Sequence, residues 1–263
     1  MIDFHNHVLP SIDDGSQSLE MTLEMLECAY SQGITDVVNT VHYKHPKVEK
    51  TITYDFIKSE TQKLTDILKK NNILINIHVG SEILYYSEIM ELKDDLLATF
   101  GNGKYMLIEF LPHLIPNGHK NTLFDLKING ITPIIAHPER YKFVQNNLEL
   151  VYDWLNMGCI IQIDAGSLTG KFGRKAKTVS KRIIEKNLCQ IIGSDAHDNK
   201  KRNFALKKAF QIAQSILGDK AKTLVYDNPR AVIEGDKIVL DLFDYPLERN
   251  GLKIIDKLKF LFK

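Results

Sequence analysis

The chain offers little that would tie it to a membrane, a nucleic acid or an oxidising compartment. No apolar run approaches the roughly 20 residues that a bilayer span requires, so no integral membrane segment is expected. The opening Met1-Ile2-Asp3-Phe4-His5 has neither the basic stretch nor the apolar stretch of a signal peptide. Cysteine is scarce: Cys28, Cys159 and Cys189 are an odd number with no CxxC spacing. That argues against a disulfide framework or a thiolate zinc site and suits a reducing, cytoplasmic setting. An excess of one charge is lacking too. Lys and Arg number 34 and Asp and Glu 33, for a net charge of +1, so no broad field attracts a nucleic acid. Low-complexity linkers, Ser/Pro-rich hinges and internal repeats are absent. With 263 residues and 44% hydrophobic content, a single soluble domain over 1–263 is the expectation.

What is present is alternation. Short, β-branched, nearly continuous apolar runs fall at residues 2–4, 36–41, 73–79, 105–110, 132–136, 159–163 and 189–192. Such runs suit strands buried on both faces. Between them lie amphipathic helix candidates at 19–31, 54–70, 122–129, 148–157, 174–186 and 200–217. Gly33, Gly130, Gly158 and Gly218 stand where C-caps would. Strand–helix alternation predicts a parallel α/β fold, either a barrel or a doubly wound sheet.

The polar residues narrow that choice. On such folds an active site assembles at the C-terminal strand ends. Here the successive runs end at or lead into His5 and His7, His42, Glu82, Glu109, His137, Asp164, and Asp195 with His197. Seven ends that each deliver a possible ligand point to a closed or nearly closed barrel with one shared mouth. In an extended segment His5 and His7 are two apart and point to the same side. Glu82 and Glu109 end apolar strands, where an unpaired charge is costly. Asp14 lies in the Asp13-Asp14-Gly15 loop near the same mouth, although that tripeptide also suits a turn. Nine candidate ligands result: His5, His7, Asp14, His42, Glu82, Glu109, His137, Asp195 and His197. That is enough for two or three divalent ions if a carboxylate bridges. Imidazoles and carboxylates without thiolates suit Mn, Fe or Zn. His45, His78, His113 and His119 are set aside as structural. Arg140 and Arg202 stand beside ligands, and a guanidinium can clamp a phosphoryl oxygen. Clustered metals and arginines together indicate phosphoester hydrolysis.

These motifs resemble the PHP (polymerase and histidinol phosphatase) superfamily. The signature is His5-x-His7, Asp13-Asp14-Gly15, His42, Gly80-x-Glu82, Glu109, His137-Pro-Glu-Arg140-Tyr, Asp164-Ala-Gly-Ser167 and Ser194-Asp195-Ala-His197. Within it, the first two motifs and His-Pro-Glu-Arg-Tyr resemble the bacterial capsule-type protein-tyrosine phosphatases. The likeness runs from residue 2 to about 202. Two positions depart from the pattern: Val41 replaces a usual Pro, and Leu111 lengthens Glu109-Phe-Leu-Pro112.

The resemblance implies a distorted (β/α)7 barrel of the PHP type with a trinuclear, commonly manganese site. His5, His7, Glu82 and Asp195 would hold one ion, and Glu82 would bridge to a second on Glu109 and His137. Asp14, His42 and His197 would take a third. It further implies hydrolysis of phosphotyrosine on a protein, the tyrosine-rich tail of a membrane-associated bacterial kinase controlling capsule or exopolysaccharide synthesis. Arg140, Arg202 and Asp195 would form the catalytic group around the phosphoryl. A covalent cysteinyl mechanism is not expected, because Cys-x5-Arg would need Arg at 34, 165 or 195, which are Ile34, Ala165 and Asp195.

Two other functions stay open: a small-molecule phosphatase of the histidinol-phosphate kind, and an interaction module stabilised by its ions. Tyr43, Tyr141 and Phe143 could contact a phenyl ring or simply pack the barrel. The end of the chain, 251–263, reads as a basic amphipathic helix that either packs on the domain or docks on anionic lipid. Deleting residues 252–263 and measuring binding to anionic liposomes separates these. The packing role predicts unchanged binding, and a clear loss would establish the membrane role.

Overall fold

Seven parallel strands pair in strict chain order. They are β1 (Ile2–Asn6), β2 (Asp36–Tyr43), β3 (Asn76–Leu84), β4 (Tyr105–Glu109), β5 (Thr132–Ala136), β6 (Ile160–Asp164) and β7 (Ile191–Gly193). The structure is a computed structural model that describes residues 1–46, 48 and 52–240. The basic helix expected over 251–263 lies outside those residues. No helix among the described residues is long and apolar enough to cross a membrane.

Among the described residues nine α-helices pack around the strands: α1 (Leu19–Ser31), α2 (Tyr54–Lys70), α3 (His119–Ile128), α4 (Lys142–Asn146), α5 (Glu149–Asn156), α6 (Ala165–Thr169), α7 (Gly173–Glu185), α8 (Leu206–Leu217) and α9 (Asp227–Glu234). Side-chain caps start the first two. Ser18 accepts from the Met21 N–H and Thr53 from the Phe56 N–H, which satisfies donors that a helix start leaves open.

Two expected boundaries move for identifiable reasons. The helix expected over 200–217 starts only at Leu206. The Asp198 carboxylate accepts from the N–H groups of Lys200, Lys201 and Arg202, holding that stretch as a loop. The strand expected from 73 begins at Asn76, because the Ile73 N–H still donates to the Leu68 carbonyl at the end of α2. The short helices α4 and α6 span five residues each and are too brief to show periodicity.

Alternation along the strands divides the apolar side chains into two cores. Ile2, Phe4, Val38, Tyr105, Leu107, Ile134, Ile160 and Ile191 fill the barrel interior, closed by Phe100 and by Val232 of α9. Val37, Val41, Ile83, Met106, Ile108, Ile135, Ile161 and Ile192 face the helices instead. Burying each such side chain contributes about 1.5–3 kcal/mol.

One irregularity sets the site. The register pairs Asp3 with Val37 but Asn6 with Asn39, so β1 carries one residue more than β2 across this stretch. That bulge reverses which residues face inward. Before it, Ile2 and Phe4 point into the barrel; after it, His7 lies level with Thr40 and points inward. The Thr40 hydroxyl accepts from the Asn6 N–H and donates to the Asn6 carbonyl. Asn39 Oδ1 accepts from the N–H groups of Val8 and Leu9. The bulge therefore leaves these backbone groups satisfied.

The barrel nearly closes between β7 and β1. The Asp195 N–H donates to the His5 carbonyl at 2.6 Å and the His7 N–H to the Ala196 carbonyl at 2.9 Å. Asp3 adds a fastening from inside the seam. Its carboxylate accepts from the Ser194 N–H at 3.1 Å and the Ser194 hydroxyl at 2.5 Å. Gly193 permits this approach, because a Cβ there would lie 2.6 Å from the His5 Cβ and 2.9 Å from its nitrogen. Gly193→Ala should lower stability by about 1–3 kcal/mol through overpacking, as read from denaturant unfolding. An unchanged midpoint would show that the seam yields without cost.

Candidate metal centre

Glu82 lies at the centre of the barrel mouth. In register it is the partner of His42 on one side and Leu107 on the other, and its side chain is 1% exposed. The Oε2 atom lies 3.1 Å from His5 Nε2, 3.5 Å from His7 Nε2 and 3.4 Å from His42 Nδ1. The other oxygen, Oε1, lies 3.0 Å from His137 Nε2. One carboxylate thus faces two sets of donors with its two oxygens.

Among the described residues four overlapping groups have ligand atoms within 4.8 Å of one another. His5, His7, Glu82 and Asp195 form one, and Glu82, Glu109 and His137 a second. His7, Asp14, His42 and His197 form a third, and His42, His45 and Glu109 a fourth. All nine ligand candidates named from the sequence meet here. His45, set aside as structural, must be added. Its Nε2 is 3.3 Å from Glu109 Oε1, and its ring stacks on His42 with centroids 4.4 Å apart. It sits in the loop after β2, where periodicity carries no signal. The remaining histidines stay away from the mouth: His78 pairs with Asp36, His119 packs on Trp154, and His113 is exposed.

The imidazoles are oriented from behind. His5 Nδ1–H donates to Gln162 Oε1 at 3.0 Å and His7 Nδ1–H to Asp13 Oδ2 at 2.8 Å. His197 Nδ1–H donates to the Asp195 carbonyl at 2.9 Å. Each of these bonds fixes a tautomer with its Nε2 lone pair toward the mouth. Asp13 does more, since it also accepts from the His42 N–H at 2.9 Å and the Gly15 N–H at 3.0 Å. Beside Asp14 it looked like turn chemistry; it is the brace between β1 and β2. No sequence signal marks Gln162, because an isolated Gln inside an apolar strand has no metal signature.

Backbone strain gathers at the same place. His137 has φ +32° and Asp195 φ +45°, a region that bulky residues seldom adopt. His137 follows directly on the end of β5 and Asp195 lies two residues past the end of β7, where the chain turns its side chain into the mouth.

The electrostatics ask for positive charge. Burial disfavours ionised Glu82 and Asp195, yet neighbouring histidines, and for Asp195 two arginines, hold both well below the usual carboxylate range. Burial likewise disfavours protonated His5, but Glu82 and Asp195 raise its pKa to about 9. Protons on imidazole thus do the neutralising that divalent cations perform when the same nitrogens act as ligands. Asp195 Oδ1 and His42 Nδ1 are buried without a hydrogen-bond partner, and both face these donor groups. Oxygen and imidazole donors, with orphaned atoms turned inward, fit a cluster of divalent ions.

Asp195 also gathers the two arginines. Its Oδ2 pairs with Arg140 Nη1 and, at 2.6 Å, with Arg202 Nη2. Arg140 further reaches Asp164 Oδ2 at 3.3 Å. Behind them Glu139 is fully buried. Burial and the adjacent Asp164 push its pKa up to about 8, so it is a neutral acid below that pH. The aromatic candidates divide. Tyr141 is buried, its hydroxyl donating to the Ala136 carbonyl and accepting from the Phe110 N–H, so it packs rather than lines the mouth. Phe143 stacks on it, and Tyr43 donates to Asp95.

Comparison with known proteins agrees with this geometry. The family described as capsular polysaccharide synthesis, CpsB/CapC, matches residues 1–234. The tyrosine-protein phosphatase YwqE of Bacillus subtilis is 32% identical over 239 residues, covering 90% of this chain and 93% of YwqE. The tyrosine-protein phosphatase CpsB of Streptococcus pneumoniae is 32% identical over 243 residues, covering 89% and 98%. Crystal structures of YwqE and CpsB, described as metal-dependent tyrosine phosphatases, include a chain that superposes with TM-score 0.85 at 32% identity, covering 91% of this chain and 96% of that one. A histidinol phosphate phosphatase from Lactococcus lactis, solved with zinc, L-histidinol and phosphate, shares the fold alone. It is 17% identical with TM-score 0.55, covering 84% of this chain and 93% of that one.

Removing the brace should loosen the donors it orients. Asp13→Ala is expected to weaken metal binding about 10–100-fold, as measured by metal content after dialysis against graded free metal. Wild-type retention would deny Asp13 this role.

Proposed function

The chain belongs to the CpsB/CapC family of capsular polysaccharide synthesis proteins, and from that membership we propose that it hydrolyses phosphotyrosine on a protein as a metal-dependent tyrosine phosphatase. The observation that carries the reading is Glu82, whose two oxygens face two separate donor groups at one barrel mouth. The expected partition follows those groups. His5, His7, Glu82 and Asp195 would hold one ion, Glu82, Glu109 and His137 a second, and Asp14, His42 and His197 a third. When bound, such ions lower the pKa of water and neutralise phosphoryl oxygens. Manganese is the metal we propose, with iron or zinc as alternatives compatible with nitrogen and oxygen donors.

The chain's own groups supply the rest. Asp195 Oδ2 pairs with both Arg140 and Arg202, and Asp164 Oδ2 with Arg140, and the guanidinium N–H donors that these carboxylates do not use can take the oxygens of a phosphoryl dianion. Gln162 and Asp13 hold the imidazole tautomers throughout a turnover. A tyrosine leaving group, with a phenol pKa of about 10, departs with little need for a protonating acid. A cysteinyl nucleophile is disfavoured, because burial pushes the Cys159 thiol up to about 12 and raises the Cys189 thiol further.

The substrate we propose is the phosphotyrosine tail of a membrane-associated bacterial kinase that controls capsule or exopolysaccharide assembly. The capsular context of the family supports it. A cytoplasmic location is proposed with it, supported by the three unpaired thiols.

The test is turnover of a phosphotyrosyl peptide by one purified sample, with its metal content measured alongside. Activity should vanish in chelator, return with manganese and survive Ser at all three cysteines. Full activity in chelator would overturn the metal mechanism, and a higher kcat/KM for histidinol phosphate would overturn the substrate class.

A further inference from the structure

Two like-charged guanidiniums that share one carboxylate oxygen need something else to hold them side by side. Arg140 and Arg202 both spend an Nη on Asp195 Oδ2. Their side chains are still 27% and 31% exposed, so neither is fully enclosed by protein. Each side chain carries about 2 kcal/mol of rotamer entropy, and their mutual repulsion favours release.

The second contact comes from the turn between α6 and α7. Phe172 stands there between Gly170, with φ +97°, and Gly173, with φ +89°. Its ring lies under both cations. The Arg140 guanidinium carbon is 4.8 Å from the ring centroid and that of Arg202 is 5.9 Å, inside the range of cation–π attraction. The ring itself is anchored from behind. A Cβ on Gly166 would meet Phe172 Cε2 at 2.6 Å and Cδ2 at 3.2 Å, so glycine at 166 lets the ring seat on helix α6. Gly166 is held in turn, its N–H donating to Asp164 Oδ1 at 2.6 Å, while Asp164 Oδ2 pairs with Arg140. Ring, carboxylate and guanidinium thus form one closed circuit around the arginine pair.

We propose that Phe172 is a positioning residue for phosphate binding, its π face being the common seat of Arg140 and Arg202. Asp195 fixes one edge of each guanidinium and Phe172 supports its plane. The remaining N–H donors are thereby pre-aimed before the phosphoryl group arrives, which removes an ordering cost from binding. The inference rests on the phosphatase reading for the identity of the anion. It does not rest on that reading for the existence of the arginine seat.

The experiment compares wild-type protein, Phe172→Leu and Phe172→Tyr, all loaded with manganese. Leucine keeps apolar volume and removes the π face; tyrosine keeps both. Phe172→Leu should raise KM for a phosphotyrosyl peptide, and the dissociation constant for inorganic phosphate measured by calorimetry, by about tenfold. That is the equivalent of two exposed cation–π contacts. Metal content should stay at the wild-type level, and Phe172→Tyr should stay close to wild type in both constants. Wild-type phosphate affinity in Phe172→Leu would overturn the proposal. Equal losses in the Leu and Tyr variants would overturn it too, since packing alone would explain them. If the wild-type protein binds phosphate but fails to hydrolyse the peptide, the phosphatase reading falls, while the phosphate constants still decide the role of Phe172.

Discussion

A β-strand alternates its side chains, so Phe4 and His7 can both face the barrel interior only if β1 gains a residue between Asp3 and Asn6. Without that bulge, a strand that plugs the barrel with Ile2 and Phe4 would turn His7 out toward the helices. With it, β1 and the residue just after it supply both the apolar floor and the first ligand candidates of the mouth, His5 and His7. The cost of the extra residue is small, because Thr40 and Asn39 of β2 satisfy the backbone groups it displaces. The seam with β7 depends on the same geometry. Only a residue without a side chain, Gly193, can lie against His5, and only then does Asp195 reach the mouth beside it.

Charge balance is the second constraint, and it follows from the first. Bringing Glu82, Glu109, Asp195 and their histidines to one buried mouth concentrates negative charge where water cannot screen it. An unpaired buried ion costs several kcal/mol, about the stability margin of a domain. Imidazolium protons offset this in part, and divalent cations do so with the same nitrogens. The site is therefore built to hold metal by the need for neutrality as much as by the shape of its donors. Asp195 joins the two halves of the site, with Oδ1 toward the histidines and Oδ2 toward Arg140 and Arg202. A shift at either half is felt at the other.

Glu139 shows how deep the network runs. It sits behind Asp164, accepting the Asp164 N–H at 3.1 Å, and burial keeps it protonated to a higher pH than an exposed glutamate. A neutral acid there spares Asp164 a second like charge, so Asp164 can serve Arg140 and cap Gly166 at once. The His-Pro-Glu-Arg sequence thus places a candidate ligand, a turn, a buried acid and a guanidinium paired to Asp195 on four consecutive residues. Each answers to a different neighbour in space.

How much of this was legible depended on whether a residue's role follows from its own segment. The seven strands, and helices α1 and α2 to the residue, follow from apolar periodicity and caps. Eight of the nine ligand candidates follow from polar residues at or just past the ends of apolar runs, because a barrel collects its strand ends at one place; Asp14 stands in a loop whose sequence also suits a turn. Tertiary structure alone decided the remainder. His45 joins the site through its stacking on His42, Asp13 and Gln162 through bonds to imidazoles from other strands, and Phe172 through arginines 32 residues before and 30 after it. Such roles exist only in the distances between segments. Sequence specifies which residues can bind metal and phosphate; the bulge in β1 and the closure at Gly193 decide which of them meet.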